Sequence, residues 1–249
     1  EHNYSAAVKA FKHIDIVKLD SSTNDAYNDS LSKHYKEYAD PFADKLRDYP
    51  HLYSQKKTQG YNKLVYAETM AALQRQIKIS PKSAAKNYYK MACGLYNTSY
   101  YGNAWIYTAY SAARDDKYRT KGPYYDCDYL HNRTAEIWFL KARTLSSDKE
   151  FRARCTFMAG KCRQTQIPIA QGVEEELEAV KLGFEFWSSN HSYGKAIRHN
   201  FYFKDLKSNY SKTEFYKTAV SDCSYFRDFL ASAKPVTKTA KKPAARDAK

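Results

Sequence analysis

The residues most suited to chemistry are a cysteine and a histidine four positions apart, Cys127 and His131, in an acidic stretch. In a helix this spacing places both side chains one turn apart on the same face, where they can share a metal ion. A zinc site needs further ligands, and the sequence offers no suitable pair. The alternative is a polar loop between helices that contains a half-buried cysteine. We predict no metal and no other cofactor.

Two acidic residues, Glu68 and Glu136, are the candidates for catalysis in a helical enzyme that acts on cell-wall glycans. Glycoside hydrolysis requires two carboxyl groups that face each other across a cleft, and no convincing pair can be identified. The sequence also contains no glycine-rich phosphate loop, no GxSxG motif and no HExxH motif. We therefore expect a protein that is not an enzyme.

The chain is rich in tyrosine, with 24 among its 249 residues. A tyrosine ring packs against apolar surface while its hydroxyl stays hydrated, which suits helix interfaces and peptide-binding surfaces. One dense group follows a predicted helix, and we expect it to line a partner-binding surface because aromatic anchors dominate interface energetics. The alternative is packing against a neighbouring helical hairpin. The group comprises Tyr100, Tyr101, Trp105, Tyr107 and Tyr110.

Two segments of helical length flank the hinge 97–99 and predict a helical hairpin over 83–113. The first segment carries an apolar face at the i, i+3, i+4, i+7 spacing, and the second carries a narrow face of small residues. These faces comprise Tyr88, Met91, Ala92 and Leu95, and then Ala104, Thr108 and Ser111. Asn97 lies in the turn, where its amide is expected to stabilise the turn itself. The same second-helix spacing recurs downstream at Ala135, Phe139 and Ala142.

Other helices are indicated by periodicity and by end signals. We predict helices over 4–17 and 61–79, a helix opening at 40–42, and a break at 166–172 followed by a new helix. The segment 188–210 is the least regular. Ser147 with Glu150, and Ser211 with Glu214, have the spacing of a capping box. The serine at 80 and the proline at 81 are expected to end one helix and to open the next.

The formal net charge is +14, which is typical of proteins that bind nucleic acids or other polyanions. Six basic residues against one acidic residue lie in the segment 234–249, which has no apolar period and is predicted to be a disordered, flexible tail. The five cysteines include Cys155 and Cys162, which lie two helical turns apart, about 10 Å, too far for a local disulfide. Burial as small apolar side chains is the better interpretation.

The segments 87–105 and 148–162 resemble the tetratricopeptide-like helical proteins of gliding bacteria, some of which are envelope lipoproteins of the gliding-motility and type IX secretion machinery. The resemblance covers about 62–164. It departs from the usual tetratricopeptide pattern because Thr108 stands where a bulky aromatic residue is usual, and because no proline ends each unit.

The resemblance implies a periplasmic scaffold that binds other proteins of a multi-subunit envelope complex, with a membrane tether through a portion absent from this sequence. The residues themselves favour an all-α fold, a tetratricopeptide-like solenoid of antiparallel hairpins with irregular loops. We expect N-terminal helices in 1–80, hairpins in 81–165, C-terminal helices in 166–233 and the basic tail in 234–249. The expected function is a non-enzymatic protein-binding scaffold. The alternative is a basic nucleic-acid or polyanion-binding helical protein, although nucleic acid is not the expected partner.

Overall fold

The computed structural model describes residues 2–13, 40–46, 62–104, 107, 128–181 and 197–232, without the side chains of 167–181. Among these residues there are eight α-helices and no β-strand, which confirms the all-α prediction for the described part of the chain. The helices are α1 Tyr4–Lys12, α2 Lys63–Ile79, α3 Pro81–Asn97, α4 Arg133–Thr144, α5 Lys149–Lys181, α6 Phe201–Tyr210, α7 Glu214–Asp222 and α8 Ser224–Ser232.

Helices that follow one another in the chain are also neighbours in space. Each of α1 to α5 packs against the helix that comes after it, and α7 contacts α5, α6 and α8. The long helix α5 therefore forms the centre of the C-terminal half, with α4, α6 and α7 packed around it.

Two apolar clusters fill the space between the helices. The smaller joins α1, α2 and α3 through Tyr4, Tyr66, Met70 and Met91. The larger extends from α3 to α8 and contains a group of packed rings, Phe157, Phe203, Phe215, Phe226 and Phe229. Burial of these rings is the main source of stability for helices that are mostly short.

Helix starts follow from side chains that bind the free amides of the first turn. Asn3, Asn62 and Asn200 each precede a helix, and each accepts a hydrogen bond from a main-chain N–H three residues later, at 3.0, 2.9 and 3.2 Å. The predicted junction at 80 and 81 is confirmed, since α2 ends before Ser80 and Pro81 is the first residue of α3.

The first arm of the predicted central hairpin is confirmed. α3 buries Met91 and Ala92 as the apolar spacing predicted. The residues 100–104 form turns and not the start of a second helix, and Thr108 and Ser111 lie outside the described residues. The hydroxyl groups of Thr98 and Ser99 donate to main-chain carbonyls of the last turn of α3, at 2.9 and 2.7 Å, which favours a compact turn over a new helix.

The predicted break at 166–172 is wrong, because α5 runs through it without interruption. Pro168 removes one main-chain donor and costs about 3 kcal/mol inside a helix. The preceding residues 155–162 are all buried, so packing of this half holds α5 in place despite the proline. The expectation of irregular structure over 188–210 is also wrong for 201–210, which forms α6.

Neither predicted capping box forms. Asp148, not Ser147, caps α5, accepting a hydrogen bond from the N–H of Glu150 at 3.0 Å. Thr213, not Ser211, caps α7, accepting from the N–H of Tyr216 at 3.1 Å.

Candidate functional site

Side chains from three helices hold a short non-helical segment, residues 40–46, which we call the strap. The aspartate at 40 accepts a hydrogen bond from the N–H of Phe42 at 2.8 Å, and the N–H of Ala43 donates to the carbonyl of the same aspartate at 3.2 Å. The predicted helix opening is therefore wrong. The same Asp-Pro pair begins a turn, because the carboxylate binds the amide two residues later.

The groove beneath the strap is formed by α2, α3 and α5, and we call it the strap groove. The groove surrounds the strap with seven residues, which are Tyr66, Met70, Tyr89, Gly94, Asn97, Arg154 and Lys161. Segments far apart in the chain thus meet at one site.

Asn97 holds the main chain of the strap. Its side-chain nitrogen donates to the carbonyl oxygens of Pro41 and Ala43, at 3.0 and 2.8 Å, and the side chain is 3% exposed. Both hydrogens of the amide are therefore used for the strap. The expected role of Asn97 in stabilising its own turn is wrong for the side chain, although its carbonyl oxygen accepts from the N–H of Ala104 at 2.7 Å.

The ring of Phe42 occupies the apolar part of the strap groove and is 8% exposed. It stacks on Tyr66 with 5.5 Å between ring centroids, and Lys90 lies over it at 5.3 Å. A Cβ atom at Gly94 would lie 2.8 Å from Cε1 of Phe42, so the absence of a side chain at position 94 makes room for the ring.

A buried lysine holds the C-terminal half of the strap. Nζ of Lys161 donates to the carbonyl oxygen of Lys45 at 3.1 Å and lies 4.6 Å from the ring centroid of Tyr96. The residue is 1% exposed. A buried ammonium needs partners of this kind because removal from water disfavours its charge.

The carboxylate of Asp44 is bound from both sides. The hydroxyl of Tyr89 donates to Oδ1 at 2.7 Å, and Arg154 forms an ion pair with Oδ2. Burial, with the negative charges around it, raises the pKa of Tyr89 well above its ordinary value, so the hydroxyl remains a donor at neutral pH. Burial likewise raises the pKa of the nearby Cys93 thiol, which is therefore a poor nucleophile.

A second feature is a cavity of about 300 Å³ lined mainly by apolar groups from α1, α2 and α3. At its edge, Nε2 of His2 lies 2.7 Å from Oδ2 of Asp128, and Oδ1 accepts from the N–H of Thr134 at 3.1 Å. Burial, the largest influence, would raise the pKa of Asp128, but the hydrogen bonds from His2 and Thr134 outweigh it and lower the pKa. The carboxylate thus joins the first turn of α4 to His2, two residues before α1.

The two candidate acids lie in separate environments. Glu136 accepts hydrogen bonds from Tyr202 at 2.6 Å and from Gln166 at 2.5 Å, so each of its oxygens binds a neighbouring helix. Glu68 lies 3.5 Å from Nζ of Lys12 in a partly exposed ion pair. The contacts of both carboxylates therefore link helices and do not form a facing pair.

The predicted partner-binding residues are placed as follows. Tyr107 is 6% exposed and stacks on Tyr66 at 6.2 Å, which matches the packing alternative. Tyr100 and Tyr101 pack against each other at 5.1 Å and keep intermediate exposure, so their role in binding stays a prediction. Trp105 and Tyr110 lie outside the described residues.

The predicted metal pair is not tested, because Cys127 lies outside the described residues. Within the described ranges no group of three or more potential ligands is arranged to hold a metal ion. The four cysteines that are described, Cys93, Cys155, Cys162 and Cys223, are buried and form no disulfide, as expected for Cys155 and Cys162.

No protein-family model, no curated protein and no solved structure matches the chain. In the described part of the chain, no helix has both the length and the apolar character needed to cross a membrane.

Proposed function

We propose that the protein is a non-enzymatic scaffold that binds other proteins by holding a short non-helical segment in the strap groove. The observation that carries the proposal is the use of Asn97. Its buried amide gives both hydrogens to main-chain carbonyls of a turn, and such bonds hold a segment through its backbone.

Two further points support a helical array as the framework. Successive helices pack in chain order from α1 to α6, as they do in stacks of helical hairpins. The resemblance of 87–105 and 148–162 to tetratricopeptide-like envelope lipoproteins favours a tetratricopeptide-like solenoid in the periplasm. On that resemblance we assign the scaffold to a bacterial envelope assembly, as an accessory component of protein secretion or gliding motility, tethered to a membrane.

The net charge of +14 favours a second candidate function, binding of nucleic acids or other polyanions. The two functions differ in their salt dependence, because each phosphate contact releases counterions and makes binding weaken steeply with salt. A groove that combines main-chain hydrogen bonds and an aromatic ring with the single ion pair of Asp44 and Arg154 depends on salt less.

Purification from the source cells under native conditions tests the proposal. The expected result is a small set of proteins, identified by mass spectrometry, that remains bound after nuclease treatment and at 0.5 M salt, a concentration at which exposed charges are screened within about 5 Å. Recovery of nucleic acid without protein partners would refute it.

A further inference from the structure

We infer that the strap groove recognises a partner segment of the type Asp-Pro-aromatic-x-acidic, and that the strap is an internal copy of this ligand that competes with the partner. The inference rests on the proposed function, because it specifies the segment that the scaffold binds. It follows from four contacts between the strap and the groove.

The strap satisfies the polar groups of the groove. With the strap in place the Asn97 amide is buried and gives both its hydrogens to the strap. The ammonium group of Lys161 donates to the carbonyl of Lys45. Release of the strap exchanges these hydrogen bonds for hydrogen bonds to water, and a partner segment that supplies equivalent carbonyls restores them.

The ring pocket and the acid site define the side chains of that segment. Gly94 leaves space for an aromatic ring, and Tyr66 and Met70 provide its apolar walls. Two positions further along, Tyr89 and Arg154 receive a carboxylate from opposite sides. A segment with a ring and an acidic residue at this spacing satisfies both.

The first two positions of the segment set its turn. The aspartate at 40 binds the amide of the aromatic residue, and Pro41, which is buried, fixes the chain direction before the ring. Together they direct the carbonyls of residues 41 and 43 to one amide. A partner segment that begins with Asp-Pro is preorganised in the same way.

The strap is linked to its groove through the chain, so a free partner must compete with an effective concentration in the millimolar range. Partner affinity is therefore lower in the intact protein than in a protein with a weakened strap. Only a partner that binds tightly, or through several sites at once, therefore displaces the strap.

The test uses a labelled, end-blocked heptapeptide with the sequence of residues 40–46 and fluorescence anisotropy. Its receptor is the full chain with the double substitution Phe42→Ala and Asp44→Ala, which weakens the strap. We expect at least tenfold tighter binding to this variant than to the unaltered chain, and loss of binding when the phenylalanine of the peptide is replaced by alanine. Adding Arg154→Met should weaken binding several-fold, whereas Arg152→Met, an exposed arginine on the same helix, should not. Equal binding of both peptides, or of neither, to a helical receptor would overturn the inference.

A second measurement covers the case in which the double variant does not fold. The peptide, with a diazirine on its phenylalanine ring, is irradiated in large excess with the unaltered chain. Adducts on Met70 or Met91, which share the apolar cluster of Phe42, are expected. If adducts form only elsewhere, the peptide does not enter the groove and the inference is wrong. A dimer seen by sedimentation, in which two chains exchange straps, would also refute a partner as the source of the segment.

The two proposals can fail separately. If the peptide does not bind but proteins still co-purify with the chain, the segment chemistry is wrong and the scaffold function stands. If the peptide binds and no protein co-purifies, the groove chemistry stands and the scaffold function is wrong.

Discussion

Glu150, in the first turn of α5, caps the helix that begins at Glu214. Its two carboxylate oxygens accept hydrogen bonds from the main-chain N–H groups of Glu214 and Phe215, at 3.0 and 2.9 Å. A negative charge at this position also interacts favourably with the dipole of α7. One side chain thus fixes the start of α7 against α5.

We expect Glu150→Ala to lower the free energy of unfolding by about 1–2 kcal/mol, because two amides at the start of α7 lose their acceptor. Glu150→Gln should cost less, since one oxygen remains. Urea unfolding followed by circular dichroism measures both. Lys149→Ala, at the neighbouring exposed position, is the control, and an equal effect of the control would contradict the cap.

A second prediction concerns the close approach of α5 and α6. A Cβ atom at Gly160 would lie 2.4 Å from Cε1 of Phe203, which is fully buried. Gly160→Ala should therefore lower the free energy of unfolding by about 1–3 kcal/mol despite the better helix propensity of alanine.

The smaller side chain in Phe203→Leu should recover part of this loss in the double variant. Thermal unfolding of the two single variants and the double variant gives the coupling between the positions. If the changes in the free energy of unfolding are strictly additive, the contact between positions 160 and 203 is not the cause of the destabilisation.

The contact between His2 and Asp128 predicts a dependence of stability on pH. Because the pKa of Asp128 is lowered in the folded state, its contribution is present above the unfolded value of about 3.9 and is lost as the pH falls through the folded value. We expect Asp128→Asn to be less stable than the unaltered protein at pH 6 and to lose less stability between pH 5 and pH 3. Parallel urea-unfolding curves across this range would contradict the assignment. Asp148→Asn, which removes the charge from an exposed cap, serves as the control.

Substitution of the buried lysine separates strap binding from overall stability. Lys161→Met keeps the length of the side chain and removes both the charge and the hydrogen bond to the Lys45 carbonyl. Removal of a buried charge stabilises the fold, whereas removal of its hydrogen bond destabilises it. The two effects offset each other, so the free energy of unfolding should change by less than about 1 kcal/mol.

The bond that follows Lys45 should become more accessible in the same variant. We expect trypsin to cleave it about three- to tenfold faster, the range that corresponds to one net hydrogen bond. Mass spectrometry follows this cleavage, and Lys149→Met on the same helix is the control. An unchanged cleavage rate would show that Lys161 does not hold the strap.

The sequence predicted two features that depend on neighbouring residues. The apolar face of α3 and the junction at Ser80 and Pro81 follow from periodicity and from the fixed geometry of proline, and both are confirmed. The capping role of Glu150 was missed, because its partners lie 64 and 65 residues away and a local rule assigned it to its own helix.

The strap groove was missed for a similar reason. Asp-Pro is common to helix openings and turns, and only the position of Asn97 and Lys161 in the folded chain decides between them. A buried lysine within an apolar helix face was the one local signal, since such a residue needs a partner. Tyrosine richness left packing and partner binding as alternatives and did not indicate which rings remain exposed.

The most direct test of the central claim is photocrosslinking in the source cells from a position beside the strap groove. A photoreactive amino acid replaces Lys90, which lies over the ring of Phe42, and Lys217, which pairs with Glu214 on α7, is the control position. We expect a discrete protein adduct from position 90, with the crosslink in a non-helical segment of the partner, and no such adduct from position 217. Equal adducts from both positions, or no protein adduct from position 90, would contradict it.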